Sequence, residues 1–233
     1  MKKHSRRYLR GLEMFDPAAG YSVGEAIRIV EMLPPAKFDE TIELAMHLGV
    51  DPKQGDQMVR GIVKLPHGSG KTVRVLVFTE NPEVALQSGA DYAGLGDLVA
   101  KIQGGWCDFD VAIATTSAMR EVRSVAKILG PRGLMPNPKS GTVSDDVAAA
   151  IREVKAGRYE FKMDKTANVA LVIGKRSFHA EKLKENILAA VTEVERARPA
   201  AVRGRYVLSA TLSSSMSPGL SLELKELSGF QRG

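Results

Sequence analysis

GSGKT at residues 68–72 is the segment of this chain most like a piece of catalytic machinery. A nucleotide-binding loop needs G-x-x-x-x-G-K-[ST] between a strand and a helix, so that amides at the helix N-terminus can hold a phosphate. Counting back from Gly70 puts Leu65 where the first glycine belongs, and the downstream run from Val73 to Phe78 reads as a strand. The segment therefore reads as a flexible link. The single cysteine, Cys107, has no histidine near it in sequence, and such cysteines are usually packed in a core. No G-x-S-x-G elbow occurs. Asp145 and Asp146 stand where a helix begins, where acids serve the helix dipole. His4, His47, His67 and His179 lack metal-ligand spacing, and one cysteine excludes a thiolate zinc site and a disulfide framework. The expectation is no enzyme, no cofactor and no metal. A nucleotide-dependent enzyme is the rival class.

Two other stretches carry binding chemistry. ILGPRGLMPNPKSGTV at 128–143 sets three prolines and three glycines around Arg132 and Lys139. Its amides and cations could contact a phosphate backbone, or the stretch could be a loop packed against a sheet. AKFDET at 36–41 and SSSMSPG at 213–219 bring together hydroxyls, Lys37, Phe38 and Met216. Hydroxyls and lysines bond phosphates and ribose, and apolar side chains lie against sugars or bases. Taken alone, these residues also fit a solvated serine-rich strand and a buried Phe38.

The elements that must position them follow from periodicity. SVGEAIRIVEML at 22–33 reads as a helix capped by Ser22 with Glu25 in its first turn, stopped by Pro34 and Pro35. Residues 41–48 alternate, with Ile42, Leu44, Met46 and Leu48 on one face. VRGIVKLP at 59–66 is a second half-buried strand. VRVLVF at 73–78 and DVAIAT at 110–115 are short apolar runs, as buried parallel strands are, with helices expected near 82–88, 95–103, 119–129 and 145–155. After Gly157 the alternating pattern returns at 158–163, with VALVIG at 169–174 as its expected partner strand. A helix follows near 178–197. The last strand places Ser209, Thr211, Ser213 and Ser215 on one face and Leu208, Ala210 and Leu212 on the other.

The ends thus look α+β and the middle α/β. One domain built from both termini and interrupted by another would explain this; so would consecutive small domains. In the first case the crossings near Pro66, Gly68 and Gly70, and near Gly157 and Arg158, form a hinge. The net charge of +6 divides as +1 over 1–66, zero over 67–157 and +5 over 158–233. A domain joining the two ends would be basic, suiting a polyanion. No run of about 18 apolar residues exists to span a membrane, and MKKHSRRYLRG is not followed by the apolar stretch of a secretory signal. A reduced, cytoplasmic protein is expected.

KFDETIELAMHLGVDPKQGDQMVRG at 37–61, LPHGSGKTVRV at 65–75 and the proline-glycine stretch at 128–143 closely resemble the large-subunit ribosomal stalk proteins of the L-one family, in the bacterial form. The resemblance runs from about residue 4 to 220. It implies a split α+β RNA-binding domain over 1–66 plus 159–233, with an inserted parallel-sheet, Rossmann-like α/β domain over 67–158. It implies binding to large-subunit rRNA at the mobile stalk beside the exit site, assistance in releasing deacylated exit-site tRNA, and repression of the chain's own operon mRNA. No membrane partner is implied, and the chain would be a monomer within the ribosome. RNA contacts carry over to Lys37, Phe38, Thr41 and Met216, with Lys165, Ser213, Ser215, Ser217 and Gly219 joining them; Arg132 and Lys139 are a possible secondary contact. Ser215 stands where the family usually has Thr, and Met58 where it has Asn. Ser217 replaces a glycine, placing a Cβ where close backbone approach is expected.

Overall fold

A computed structural model describes residues 4–229. In chain order the elements are α1 (Arg6–Leu12), α2 (Val23–Met32), β1 (Thr41–Leu48), β2 (Arg60–Lys64), β3 (Val75–Phe78), α3 (Pro82–Gln87), β4 (Tyr92–Gly94), α4 (Gly96–Gln103), β5 (Val111–Ala114), α5 (Met119–Val122), α6 (Ala126–Leu129), α7 (Val147–Lys155), β6 (Arg158–Lys162), β7 (Asn168–Lys175), α8 (Ala180–Arg196), β8 (Val207–Ser214), β9 (Leu220–Ser221) and α9 (Leu224–Gly229). The chain divides into two compact units. One contains both ends, up to Gly70 and from Glu160 onward, and the other runs from Lys71 to Tyr159.

The split unit is built on an antiparallel sheet of order β7-β1-β8-β9. Along β1 the alternation in the sequence becomes a two-faced strand: Ile42, Leu44, Met46 and Leu48 are buried, while Glu43 and Ala45 are exposed. Helices α2 and α8 cover the apolar face, α8 burying Leu183, Ile187, Ala190, Val191 and Val194. Ser22 and Glu25 form a reciprocal capping box at the start of α2. At its other end Arg176 donates from Nη2 to the carbonyls of Glu31 and Leu33, groups that have no partner within the helix.

Three expectations need correction. VALVIG does not pair with the preceding strand: β6 pairs with β2, and β7 pairs with β1. The ring of Phe161 occupies the space a Cβ at Gly61 would need, fixing β6 beside β2. The Asp164 carboxylate then accepts from the amides of Thr166 and Asn168, with Ala167 at a φ of 62°, and turns the chain away. Leu208 is exposed instead of inward. The register steps from Ser209 opposite His47 to Val207 opposite Leu48, so Leu208 is the extra residue of a bulge and loses the alternation of its strand. Finally, the helix expected over 119–129 is broken by a 3-10 turn at Arg123–Val125. Residues three apart eclipse in such a turn, which points both Val122 and Val125 into the core.

The inserted unit has a parallel sheet of order β4-β3-β5. All of β3 is buried, its alternate residues serving opposite cores. Leu76 and Phe78 pack with Leu98, Ile102, Val122 and Leu129. Val75 and Val77 pack with Ala85, Ile113, Ile151 and Val154. This is the doubly wound layering expected of continuous apolar strands.

The observed boundaries fall at 70/71 and 159/160, where the sequence suggested 66/67 and 158/159. His67 and Gly68 belong to the split unit because the buried Asn186 of α8 accepts from the His67 amide at 3.1 Å. The Asn186 side chain also donates to the carbonyls of Gly68 and Ile173. Gly70, at a φ of 70°, lies against Lys175 and Phe178. Arg158 falls in the inserted unit, where it pairs with Glu153 and donates to the Ser140 carbonyl. The split unit then holds 22 Lys/Arg against 17 Asp/Glu, net +5, and the insert 11 against 10, net +1, in place of +6 and zero.

Candidate nucleic-acid interface

The sheet register gathers most of the candidate residues at one end of the split unit. Thr41 lies opposite Lys175, and Ile42 opposite Ser214. The Thr41 amide donates to Ser215 Oγ at 3.0 Å, the Ser215 amide donates to the Thr41 carbonyl at 2.9 Å, and Lys175 Nζ donates to Thr41 Oγ1 at 2.9 Å. Two hydroxyls and an ammonium are thus held in fixed relation by backbone pairing. Beside them stand Phe38, 57% exposed, and Met216, 53% exposed. They are two of the nine large apolar side chains exposed among the described residues, and they stand out by adjoining these hydroxyls in the chain. Lys37 is exposed and forms no ion pair among the described residues. Ser213 faces outward from β8 opposite Glu43 and is half-buried.

Beneath this surface lies a buried carboxylate that the sequence did not single out. Glu40 is 1% exposed. Its Oε1 accepts from the Ala36 amide at 2.7 Å and from Arg7 at 3.0 Å. Its Oε2 accepts from Ser214 Oγ and lies 3.6 Å from Arg176. Burial alone would raise its pKa. The Ser214 hydroxyl, the Ala36 amide, Arg7 and Arg176 outweigh that and hold it below the usual carboxylate range. One side chain therefore ties together α1, the 36–40 loop, the end of β8 and the end of β7. Asp39 adds a second tie, accepting from the amide and hydroxyl of Ser177. No local pattern signals Glu40, because its partners come from four separated stretches of chain.

Two candidate residues have packing or turn roles here. Ser217 Oγ accepts from the Ser214 amide at 2.8 Å and closes the turn leaving β8. Ala167 is the only described non-glycine residue at positive φ, so Ser217 sits in an ordinary conformation that needs no glycine. Gly219 packs on Thr211: a Cβ there would lie 2.7 Å from Thr211 Cγ2.

Lys165 is not brought to this end. It lies in the turn before Asn168, which pairs with His47 at the other end of β1, roughly 20 Å along the strand from Thr41 at the usual rise per residue. There it shares the far end of the sheet with exposed Lys53, Arg203 and Arg205 on the neighbouring loops. In the inserted unit, Arg132 is exposed in the turn after α6, and the side chain of Lys139 lies outside the described residues. The later half of the proline-glycine stretch is structural. The Asn137 amide donates to Thr142 Oγ1, and Ala114 of β5 bonds to Thr142 and Ser144 through its amide and carbonyl. Gly141 adopts a φ of 66°, a backbone conformation that side-chain-bearing residues rarely take. In the GSGKT segment Gly68 and Gly70 adopt positive φ. No helix follows; Lys71 instead pairs with Asp110 at 2.6 Å.

Below the site hydroxyls, Glu40 has both carboxylate oxygens engaged by Ala36, Arg7 and Ser214, while Glu43 stands exposed opposite Ser213. Among the described residues no group of three His, Cys, Asp or Glu could hold a metal, and no helix is long and apolar enough to cross a membrane. The architecture is a split α+β unit, with exposed hydroxyls and apolar side chains at one end of its sheet, interrupted by a doubly wound unit.

The chain belongs to the ribosomal protein L1p/L10e family, whose model matches residues 30–218. This is a family of structural, non-enzymatic ribosomal components of bacterial type here. The chain is 49% identical to large ribosomal subunit protein uL1 of Kosmotoga olearia over 225 residues, 96% of this chain and 97% of that protein. It is 49% identical to uL1 of Protochlamydia amoebophila over 228 residues, 97% of each. It is 50% identical to uL1 of Thermobifida fusca over 223 residues, 95% of each.

Proposed function

We propose that this protein is a cytoplasmic constituent of the large ribosomal subunit whose split unit grips the rRNA of the mobile exit-site stalk as a monomer. The observation that carries this reading is the pair of exposed apolar side chains, Phe38 and Met216, flanking hydroxyls whose positions are set by strand pairing. Thr41, Ser213, Ser215 and Lys37 bond phosphate and ribose, and Phe38 and Met216 lie on sugar or base faces. The same surface binds an operon mRNA that folds like the stalk, so free protein represses its own translation. The far end of the sheet, with Lys53, Lys165, Arg203 and Arg205, contacts exit-site tRNA and assists its release while the near end stays on rRNA. The inserted unit turns about residues 70–71 and 159–160.

Titration of an isolated stalk RNA tests this. Phe38→Ala and Met216→Asp should each weaken binding by roughly 1–3 kcal/mol, and wild-type affinity should fall steeply with salt. Unchanged affinity in folded variants, or a flat salt response, would refute the placement. A competition arm with the leader of the chain's own operon mRNA tests repression, and an arm with deacylated tRNA and Arg203→Gln/Arg205→Gln tests the far end.

A further inference from the structure

Helix α1 breaks the usual charge rules for a helix of its size. Its first two residues are Arg6 and Arg7, with no acid in the first turn, and Arg10 follows. Arg6 and Arg7 at the helix N-terminus oppose the macrodipole, which favours Arg10 in the last turn, while Arg6 and Arg10, four residues apart, repel. Arg7 is compensated: it pairs with buried Glu40 and donates to the Met216 carbonyl at 3.2 Å. Gly11, one turn on, packs on Leu33 and Pro218. These contacts dock α1 directly against the Met216 turn. Arg6 and Arg10 are exposed and form no ion pair among the described residues. Arg10 is the i+3 neighbour of Arg7, so the Cβ atoms of the two residues lie about 5–6 Å apart on the same helix surface. His4 stacks on Tyr8 with ring centroids 4.5 Å apart, adding an aromatic surface at the helix start. A local cost retained without a compensating internal contact points to a function.

We infer that α1 is a second limb of the RNA interface, with Arg6 and Arg10 neutralising phosphates next to those reached through the Phe38 and Met216 end of the sheet. This rests on the proposed stalk-RNA reading. Arg7 is a positioning residue, since its guanidinium is spent on Glu40 and the Met216 carbonyl.

The test uses the full chain and an isolated stalk RNA, with binding followed by fluorescence anisotropy over a range of salt. Arg6→Gln/Arg10→Gln should bind roughly ten-fold more weakly at low salt, and the slope of log affinity against log salt should flatten by about 1.5, the release expected for two phosphates. Lys101→Gln/Arg152→Gln, which removes the same charge from the inserted unit, should leave affinity within about two-fold and the slope unchanged. Loss of affinity with an unchanged slope, or an equal loss in the control pair, would overturn the inference. Met216→Asp separates the two claims. If it weakens binding while Arg6→Gln/Arg10→Gln does not, only the role of α1 fails; if it too binds as wild type, the stalk-RNA reading fails and the role of α1 with it.

Discussion

Replacing Glu40 with Gln keeps the shape of the side chain and removes the buried charge on which Arg7 and Arg176 converge. The carboxylate oxygens lie 3.0 Å from Arg7 and 3.6 Å from Arg176, and those arginines are 26% and 14% exposed. At an effective dielectric near 20, each pair of unit charges about 4 Å apart is worth about 4 kcal/mol. Against the two pairs stand the several kcal/mol that dehydrating an ion costs. The hydrogen bonds largely survive: the amide oxygen can still accept from Ala36 and Arg7, and Ser214 can turn its hydroxyl to accept. The new amide N–H groups, however, face Arg176. The expected loss is about 3 kcal/mol of stability, confined to the split unit. Urea unfolding measures it well because the only tryptophan, Trp106, lies in the insert and reports that unit alone, whereas circular dichroism reports both. With a slope of about 2 kcal/mol/M, the transition seen by dichroism but not by fluorescence should move down by about 1.5 M. The pH dependence has a definite sign. Glu40 has a folded pKa below its ordinary 4.5, so its stabilisation is complete above 4.5 and is lost as pH falls through the folded value. The gap between wild type and variant should close in the same acid window. A midpoint within about 0.3 M of wild type at neutral pH, or a gap independent of pH, would refute the account of Glu40.

Gly219→Ala should cost the split unit about 1–2 kcal/mol through the clash with Thr211, and Thr211→Ser, which deletes the offending methyl, should restore most of it in the double variant; absence of rescue in urea unfolding would sink the packing role. Asn186→Ala should cost about 2–4 kcal/mol by stranding the Ile173 carbonyl and freeing residues 67–68. Hydrogen exchange at the His67 amide should rise with it, and an unchanged rate would show that this clamp is not what holds the segment. Lys71→Ala should change stability by less than about 1 kcal/mol, its partner contact being exposed. Neither it nor wild type should bind ATP by calorimetry; tight binding that depends on Lys71 would restore the nucleotide-enzyme alternative.

Much of the fold was legible locally. The alternation from Thr41 to Leu48 marked β1 to the residue, because a strand with one buried face must alternate. Ser22 and Glu25 marked the start of α2, because a capping box closes within four residues. The buried strands of the insert were legible as apolar runs. What misled was always a contact from outside the local window. Leu208 kept its pattern but fell on a bulge, Val122 and Val125 reshaped a helix to reach a core, and VALVIG paired with a strand more than a hundred residues earlier in the chain.

The candidate interface divides the same way. Lys37, Phe38, Thr41, Ser215 and Met216 were nameable from residue type and from the resemblance of their surroundings, because hydroxyls, cations and exposed apolar groups are what an RNA surface requires. By itself the sequence determined periodicity, caps, the charge of each segment and the chemical repertoire, all properties of neighbours along the chain. Only the tertiary structure decided that Lys165 stands at the opposite end of the sheet from Thr41, that residues 67–70 belong to the split unit, and that Arg7, Ser214 and Arg176 converge on one buried carboxylate. Those depend on strand register and on burial, which lower the free energy only when distant segments have already met, so no window of sequence contains them.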